Sequence, residues 1–460
     1  MALNVLLIST YEMGRQPFGL ASPAAWLRQA GAQVRCLDLS VEAFSEEAVR
    51  SAQLVAFYVP MHMATRMALG ALERLRRINS SAHLCFFGLY ASQNAHYLRS
   101  LGVDTVLGGE FEACLVSLAK RLSDPTDGHA RERTQPEPFV SLDRLKFLVP
   151  DRSGLPDLSK YAHLVMGNGQ RRTVGYVEAS RGCKHLCRHC PIVPVYGGRF
   201  RIVQPDVVLE DIRRQVAAGA QHITFGDPDF FNAIGHAIPL VTALRAEHPE
   251  LTYDVTIKVE HLLQHRQHLE TLGKTGAVFV TSAVESFDNS ILATFEKNHT
   301  REDFETVLRL CRKLDLLLVP TFVAFTPWTT LDGYLSFLSE IVRLELVDQV
   351  APIQYAIRLL IPPGSRLLEL TGVWSLVEEL EEAKLSYRWR NPDPRVDRLQ
   401  RDLERLVQES GARCLSRRET FQRIWQRAYQ EAADIPQAPP LANLSANSRF
   451  VPYLTEPWFC

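Results

Sequence analysis

Between Leu3 and about Leu122, short apolar runs alternate with amphipathic stretches. Residues 5–8, 34–37, 54–59, 84–87 and 105–107 are apolar runs of strand length, each followed by a polar or helical segment, and they predict buried strands. A helix is expected over residues 22–29, stopping at Gly31. Such βα repetition implies a doubly wound parallel sheet, with ligands beyond the carboxyl ends of its strands. Periodicity lapses over residues 123–172, where Pro125, Gly128, Pro136 and Pro138 mark a linker whose later half is expected to pack across the domain junction. The strand pattern resumes at residues 173–180. A helix opening at Pro205 carries Val208, Ile212 and Val216 on one face, and strands are expected over 222–225, 253–259, 277–284, 316–324 and 353–360. Six βα units make an open barrel with its chemistry at the carboxyl ends of the strands. From Trp374 to about Glu431 a helical region is expected, with Val396, Leu399, Leu403, Leu406, Phe421, Ile424, Trp425 and Ala428 as its apolar stripe. The predicted class is therefore α/β. A flavodoxin-like sheet occupies 1–122, a linker 123–172, a partial (β/α)6 barrel 173–373, and a helical region with an extended tail 374–460.

Composition adds little steering. The 460 residues are 46% hydrophobic, enough for two or three globular cores. Lys and Arg number 51 against 52 Asp and Glu, so no strong field draws the chain toward nucleic acid or an anionic membrane, and neither partner is expected. No window approaches about 18 uninterrupted apolar residues, and the first residues lead into a strand without a cationic leader. Nine cysteines in such a chain fit a reducing compartment, so a cytoplasmic location is expected. Cys36, Cys85, Cys114, Cys311 and Cys414 lie in apolar patterns and read as core fillers.

Cys183, Cys187 and Cys190 stand apart. Their C-x3-C-x2-C spacing wraps the backbone around one small object, and soft thiolates select iron–sulfur clusters or zinc. A structural zinc site or an electron-carrying cubane takes four protein ligands, whereas three leave one metal corner open. A Cys3His zinc site closed by His185 or His189 is the alternative. The segment resembles the signature of the radical S-adenosylmethionine (SAM) enzymes, C-x3-C-x-aromatic-C, with His189 at the aromatic position. The resemblance implies a 4Fe–4S cluster on the three cysteines and SAM at the open iron. It also implies reductive cleavage of SAM to a 5'-deoxyadenosyl radical and an electron donor such as flavodoxin or ferredoxin.

Further residues take roles from that resemblance. Gly226, Asp227 and Asp229 follow the second barrel strand, where the family holds the methionyl amino group. Glu285 and Ser286 resemble the ribose motif G-x-E-S, with Ala283 in place of glycine, and Arg358 is a candidate partner for the methionyl carboxylate. With His189 these form the expected SAM site. Lys258 and Glu260 are expected to alternate on the third strand and are candidate catalytic groups. The carboxyl ends of the first sheet carry Thr10, Tyr11, Pro60, Met61, Gly88, Tyr90, Gly108, Gly109 and Glu110, and this domain resembles the cobalamin-binding domain of one class of these enzymes. The D-x-H-x-x-G motif that places a histidine under cobalt is absent, so the shape is better supported than occupancy by cobalamin. His62 alone at a strand end reads as a packing residue.

The tail, together with GDPDFFN and TFVAFTPWTT, resembles the CUAEP/CCAEP-tail radical SAM proteins, in which a cysteine is followed by selenocysteine or cysteine, then Ala-Glu-Pro. Here the chain stops at Cys460, which suggests a reading frame ended at a UGA codon, and Cys460 is a candidate reactive thiol. The expected function is a radical SAM enzyme that methylates or otherwise modifies a small molecule, with cobalamin optional. Transfer of the 3-amino-3-carboxypropyl group of SAM to arsenic(III) is one alternative, and a zinc- or corrinoid-binding sensor another. A tRNA methylthiotransferase is disfavoured, because no cysteine follows the first strand and no basic RNA-binding module is present.

Overall fold

A computed structural model describes residues 2–124, 136–433, 440–441 and 450–456. The first sheet is built from β1 (Asn4–Ser9), β2 (Gln33–Asp38), β3 (Leu54–Tyr58), β4 (His83–Phe87), β5 (Thr105–Gly109) and β6 (Val140–Ser141), all parallel, in the order β2-β1-β3-β4-β5-β6. Its alternate residues feed two cores. Leu6 and Ile8 pack toward Ala68, Leu72 and Leu75 of the His62–Ile78 helix, while Val5 and Leu7 pack toward Leu20, Ala24 and Leu27 of the Phe18–Gln29 helix. This is the doubly wound arrangement, and it explains why the strands read as unbroken apolar runs. The first helix begins at Phe18, four residues before the expected start at Ser22.

Segment 136–172 straddles the two halves. It supplies β6 to the first sheet and β7 (His163–Val165) to the second. Between them Arg28 Nη1 donates to Asp151 at 2.5 Å, and Arg152 makes a two-pronged contact with buried Asp211 at 2.8 and 2.9 Å. Arg152 also donates to Gln16 Oε1 and to the Tyr176 carbonyl.

The second sheet contains β8 (Arg171–Val177), then, after a separate ribbon of β9 (Ser180–Gly182) and β10 (Phe200–Ile202), the strands β11 (His222–Phe225), β12 (Thr252–Thr256), β13 (Ala277–Glu285) and β14 (Leu317–Phe322). Those five main strands are parallel and adjacent in sequence order, a curled half-barrel with helices between them. The expected sixth strand over 353–360 is not formed: a 3-10 turn occupies Pro352–Tyr355, and one parallel bridge, Phe325 to Arg358, is all that pairs there. The third strand also ends early. β12 stops at Thr256, Lys258 caps the Val259–Gln264 helix, and Glu260 lies in its first turn, so the expected alternation of these two residues on a strand does not exist.

The region after Trp374 opens with a hairpin of β15 (Val377–Glu381) and β16 (Ser386–Trp389) before its helices, Pro394–Ala412 and Arg417–Ala433. The helices bury Val396, Leu399, Leu403, Phe421, Ile424, Trp425 and Ala428 in the barrel core. Segment 450–456 returns as β17 (Tyr453–Leu454), which pairs antiparallel with β7 at the barrel edge. Cys36, Cys85, Cys114 and Cys311 are buried, but Cys414 is exposed, because it follows the end of the Pro394–Ala412 helix in a left-handed conformation. Cys460 lies outside the described residues.

Candidate active site

The cysteine loop leaves β9 through Gly182, whose φ of +73° and close approach to Tyr196 and the Arg199 carbonyl leave no room for a side chain. Arg181, just before it, is 6% exposed and meets Glu110, Glu112 and Glu178 at 2.7–3.2 Å, with the rings of Phe18, Phe111 and Phe147 around its guanidinium. A buried arginine shared by three carboxylates thus ties the loop to the first sheet. Beyond it, Arg188 donates its backbone N–H to the Phe295 carbonyl at 2.9 Å and pairs with Glu296 at 2.5 Å. Ser365 and Arg366 hold the Arg188 and Leu186 carbonyls at 3.1 and 2.6 Å.

All three cysteines of the loop are free thiols, with Cys187 buried and the other two half-buried. Burial pushes the Cys183 thiol up and the Cys190 thiol to about 12, and neighbouring Cys187 adds to both shifts. Bare, such thiols hold their protons at neutral pH, so a bound cationic centre is what makes thiolates tenable here. Among the described residues, His185, Asp229 and His261 bring three ligand atoms within 4.8 Å of one another. The three thiols on one short loop are a soft donor set that fits a cluster with one open corner. Neither expected histidine points its Nε2 at the sulfurs, since His185 Nε2 faces Asp229 at 3.5 Å and His189 Nε2 faces Glu285 at 3.1 Å.

Beside the loop, His189 stacks on Phe295 with centroids 4.4 Å apart. Its partner Glu285 ends β13 with φ +69°, a costly conformation for a side chain of this size, which turns the carboxylate onto His189 and onto Lys297 Nζ at 3.2 Å. Burial opposes the charge on Glu285, but Lys297 and His189 together hold its carboxyl well below the usual range. Burial likewise opposes the Lys297 charge, which Glu285, Cys187 and Cys190 nevertheless raise above its ordinary value. Lys297 is not legible as a site residue in the sequence: it sits between Glu296 and Asn298, whose φ values of +53° and +56° bend the chain around it, and that bend exists only in the folded chain.

Other expected SAM residues are engaged elsewhere. Asp227 accepts from the Ala179 backbone N–H at 3.0 Å and from Ser180 Oγ at 2.5 Å, so it braces the turn into β9. Gly226 leaves space for the Tyr176 hydroxyl, which a Cβ would meet at 1.8 Å. Arg358 pairs with Asp397 at 2.6 Å, donates to the Trp389 carbonyl and lies 3.4 Å from the centre of the Trp389 ring. Arg358, expected to meet the methionyl carboxylate from a strand, lies in the irregular segment after the Pro352–Tyr355 turn and has its anion partner on a C-terminal helix. Ser286 Oγ caps the backbone of Asp288. Asp229 is turned to His261 Nδ1 at 2.6 Å, and Lys258 Nζ donates to Glu260 Oε2 at 3.1 Å.

At the first sheet, the expected cobalamin residues are themselves packed and bonded within the protein. Thr10 Oγ1 donates to the Ala64 carbonyl, and Glu110 accepts from Tyr196 and Arg181. Side chains on Gly108 and Gly109 would strike Ser92 and Ser141. Pro60 and Met61 are half-buried at the strand ends, near buried Tyr11 and Tyr90 and near Gly88, which has φ +109°. His62 Nε2 lies 2.7 Å from the Lys384 carbonyl of the β15–β16 hairpin, so the hairpin reaches over these strand ends.

Comparison with known proteins places the site in context. Residues 177–327 match the model of the radical SAM superfamily. The hopanoid C-3 methylase of Methylococcus capsulatus is 26% identical over 325 residues, covering 68% of this chain and 62% of that protein, so the match spans less than two thirds of the relative. Among solved structures, the radical SAM methyltransferase TsrM from Kitasatospora setae, solved with tryptophan substrate and a SAM analog, aligns with TM-score 0.61 at 19% identity over 74% of this chain and 71% of that one. The cobalamin-dependent SAM radical enzyme OxsB, with aqua-cobalamin and SAM bound, aligns with TM-score 0.66 at 13% identity over 93% and 73%. At these identities the structural likeness speaks for the fold. No helix among the described residues is long and apolar enough to cross a membrane.

Proposed function

We propose that the chain binds a 4Fe–4S cluster through Cys183, Cys187 and Cys190, cleaves SAM reductively and methylates a small molecule, a reading supported by the match of residues 177–327 to the radical SAM model. When bound, the cluster and SAM supply a reductively generated 5'-deoxyadenosyl radical, and cobalamin a transferable methyl group. The observation that carries this reading is the set of three free thiols on one braced loop, set against the buried Lys297 ammonium.

The chain's own residues bind and orient. Lys297 offsets thiolate charge and keeps Glu285 ionised, so that the carboxylate can accept hydrogen bonds from ribose hydroxyls. Phe295 fixes the His189 ring in place against the loop. Cobalamin, named in the OxsB structure, would lie over Tyr11, Pro60, Met61, Gly88 and Tyr90, with the other expected residues serving the domain interface. The electron donor would be a flavodoxin or ferredoxin, and the free cysteines suit the cytoplasm.

Purification without oxygen, followed by product analysis, tests the proposal. The wild-type chain should be brown and form 5'-deoxyadenosine from SAM under reduction, and Cys187→Ala should lose both. An intact, active cluster in that variant would refute the ligand assignment. Methylthioadenosine in place of 5'-deoxyadenosine would favour transfer of the 3-amino-3-carboxypropyl group instead. Absence of bound cobalamin, with 5'-deoxyadenosine still formed, would narrow the reaction to another radical modification.

A further inference from the structure

Next to the cysteine loop, three buried side chains from separate elements converge on one point. His185 comes from between Cys183 and Cys187, Asp229 from just beyond β11, and His261 from the first turn of the Val259–Gln264 helix. Asp229 and His261 are 1% and 0% exposed, and His185 is 9% exposed. His261 Nδ1 and His185 Nε2 lie 2.6 and 3.5 Å from the same oxygen, Asp229 Oδ2. The two imidazoles pair with the carboxylate, but neither contact is aligned as a hydrogen bond. Such poor alignment forfeits part of the stabilisation that buried polar atoms need, and one shared cation would restore it.

We propose that His185, Asp229 and His261 bind a single divalent ion, zinc or ferrous iron, separate from the cluster. Two imidazoles and one carboxylate are a donor set that both ions accept, with at least one position left for water or a lone-pair donor on a substrate. Ligands about 2.1 Å from a tetrahedral ion stand about 3.4 Å apart, so the His185 to Asp229 spacing already fits, and the 2.6 Å between His261 and Asp229 must open by about 0.8 Å. Supporting contacts orient the ligands as metal sites require. Asp229 Oδ1 accepts from the Phe231 backbone N–H at 3.1 Å, and His185 Nδ1 faces Glu260 Oε2 at 3.5 Å, which Lys258 also holds. The ion would pin the cysteine loop to β11 and to the Val259–Gln264 helix of the barrel.

The full-length protein, purified without oxygen, is assayed for zinc, iron and acid-labile sulfide. The expected result is about one zinc per chain, or iron exceeding sulfide by about one per chain. That ion should be lost from His261→Ala, leaving iron equal to sulfide and the sulfide content unchanged. Protein without zinc and with iron equal to sulfide overturns the site, as does a His261→Ala variant that keeps the extra ion. X-ray absorption at the zinc edge should show nitrogen and oxygen at about 2.0–2.1 Å; sulfur at about 2.3 Å would put zinc on the cysteines and refute both this site and the cluster. Zinc chloride added to protein that retains its cluster, after the extra ion has been removed by a mild chelator, should raise the melting temperature of wild type and leave that of Asp229→Asn unchanged. An equal rise in both would overturn the proposal even if His261→Ala fails to fold.

Discussion

At the scale of single residues, buried charge is placed to serve the loop that carries the cysteines. Asp227 was expected to meet SAM but braces the turn before β9, and burial raises its carboxyl to about 7. The folded chain therefore holds that proton more tightly than the unfolded chain. Its stabilising contribution is complete near pH 4 and is lost as pH rises through about 7. Comparing melting temperatures of wild type and Asp227→Asn cancels the other titrating groups. The wild-type advantage should shrink between about pH 5 and about pH 8, and a gap that widens over that range would disprove the assignment. The sequence disclosed which residues were chemically capable, because residue type and spacing are local. It could not assign Asp227, Asp229 and Arg358, because each takes its partner from an element 32 or more residues away.

Among the elements, β9 matters most, since three residues of ribbon aim the whole cysteine loop. Its Arg181 balances Glu110 and Glu112 from the first sheet against Glu178. Arg181→Met would leave three carboxylates buried without their counter-ion. Destabilisation of roughly 3–5 kcal/mol is expected in guanidinium chloride unfolding, together with reduced cluster content after reconstitution. A loss under about 1 kcal/mol would mean that the carboxylates find other partners or protonate freely. Strand positions in the first sheet were legible because both faces are buried. The missing sixth strand was not, since an apolar run over 353–360 reads the same whether it pairs with a neighbour or turns into a 3-10 segment. The hairpin β15–β16 escaped notice for a related reason: Val377–Glu381 is mostly charged, and its pairing with Ser386–Trp389 is visible only as contacts.

For the whole molecule, segment 136–172 is a fastener between the two sheets. Arg152 reaches Asp211 on the barrel side and Gln16 on the other, so the halves should melt together. Calorimetry of wild type should show one transition with equal calorimetric and van't Hoff enthalpies, and Arg152→Ala should push their ratio above one. A single matched transition in the variant would show that burial elsewhere couples the halves. By itself the sequence determined the two-sheet α/β plan and the trio of thiols, because hydrophobic period and ligand spacing act over a few residues. Tertiary structure alone decided the rest. It brought Lys297 to the cysteines, gave Arg358 to Asp397, and gathered His185, Asp229 and His261 at one point, since long-range packing and the need to satisfy buried charge select partners that no local pattern names.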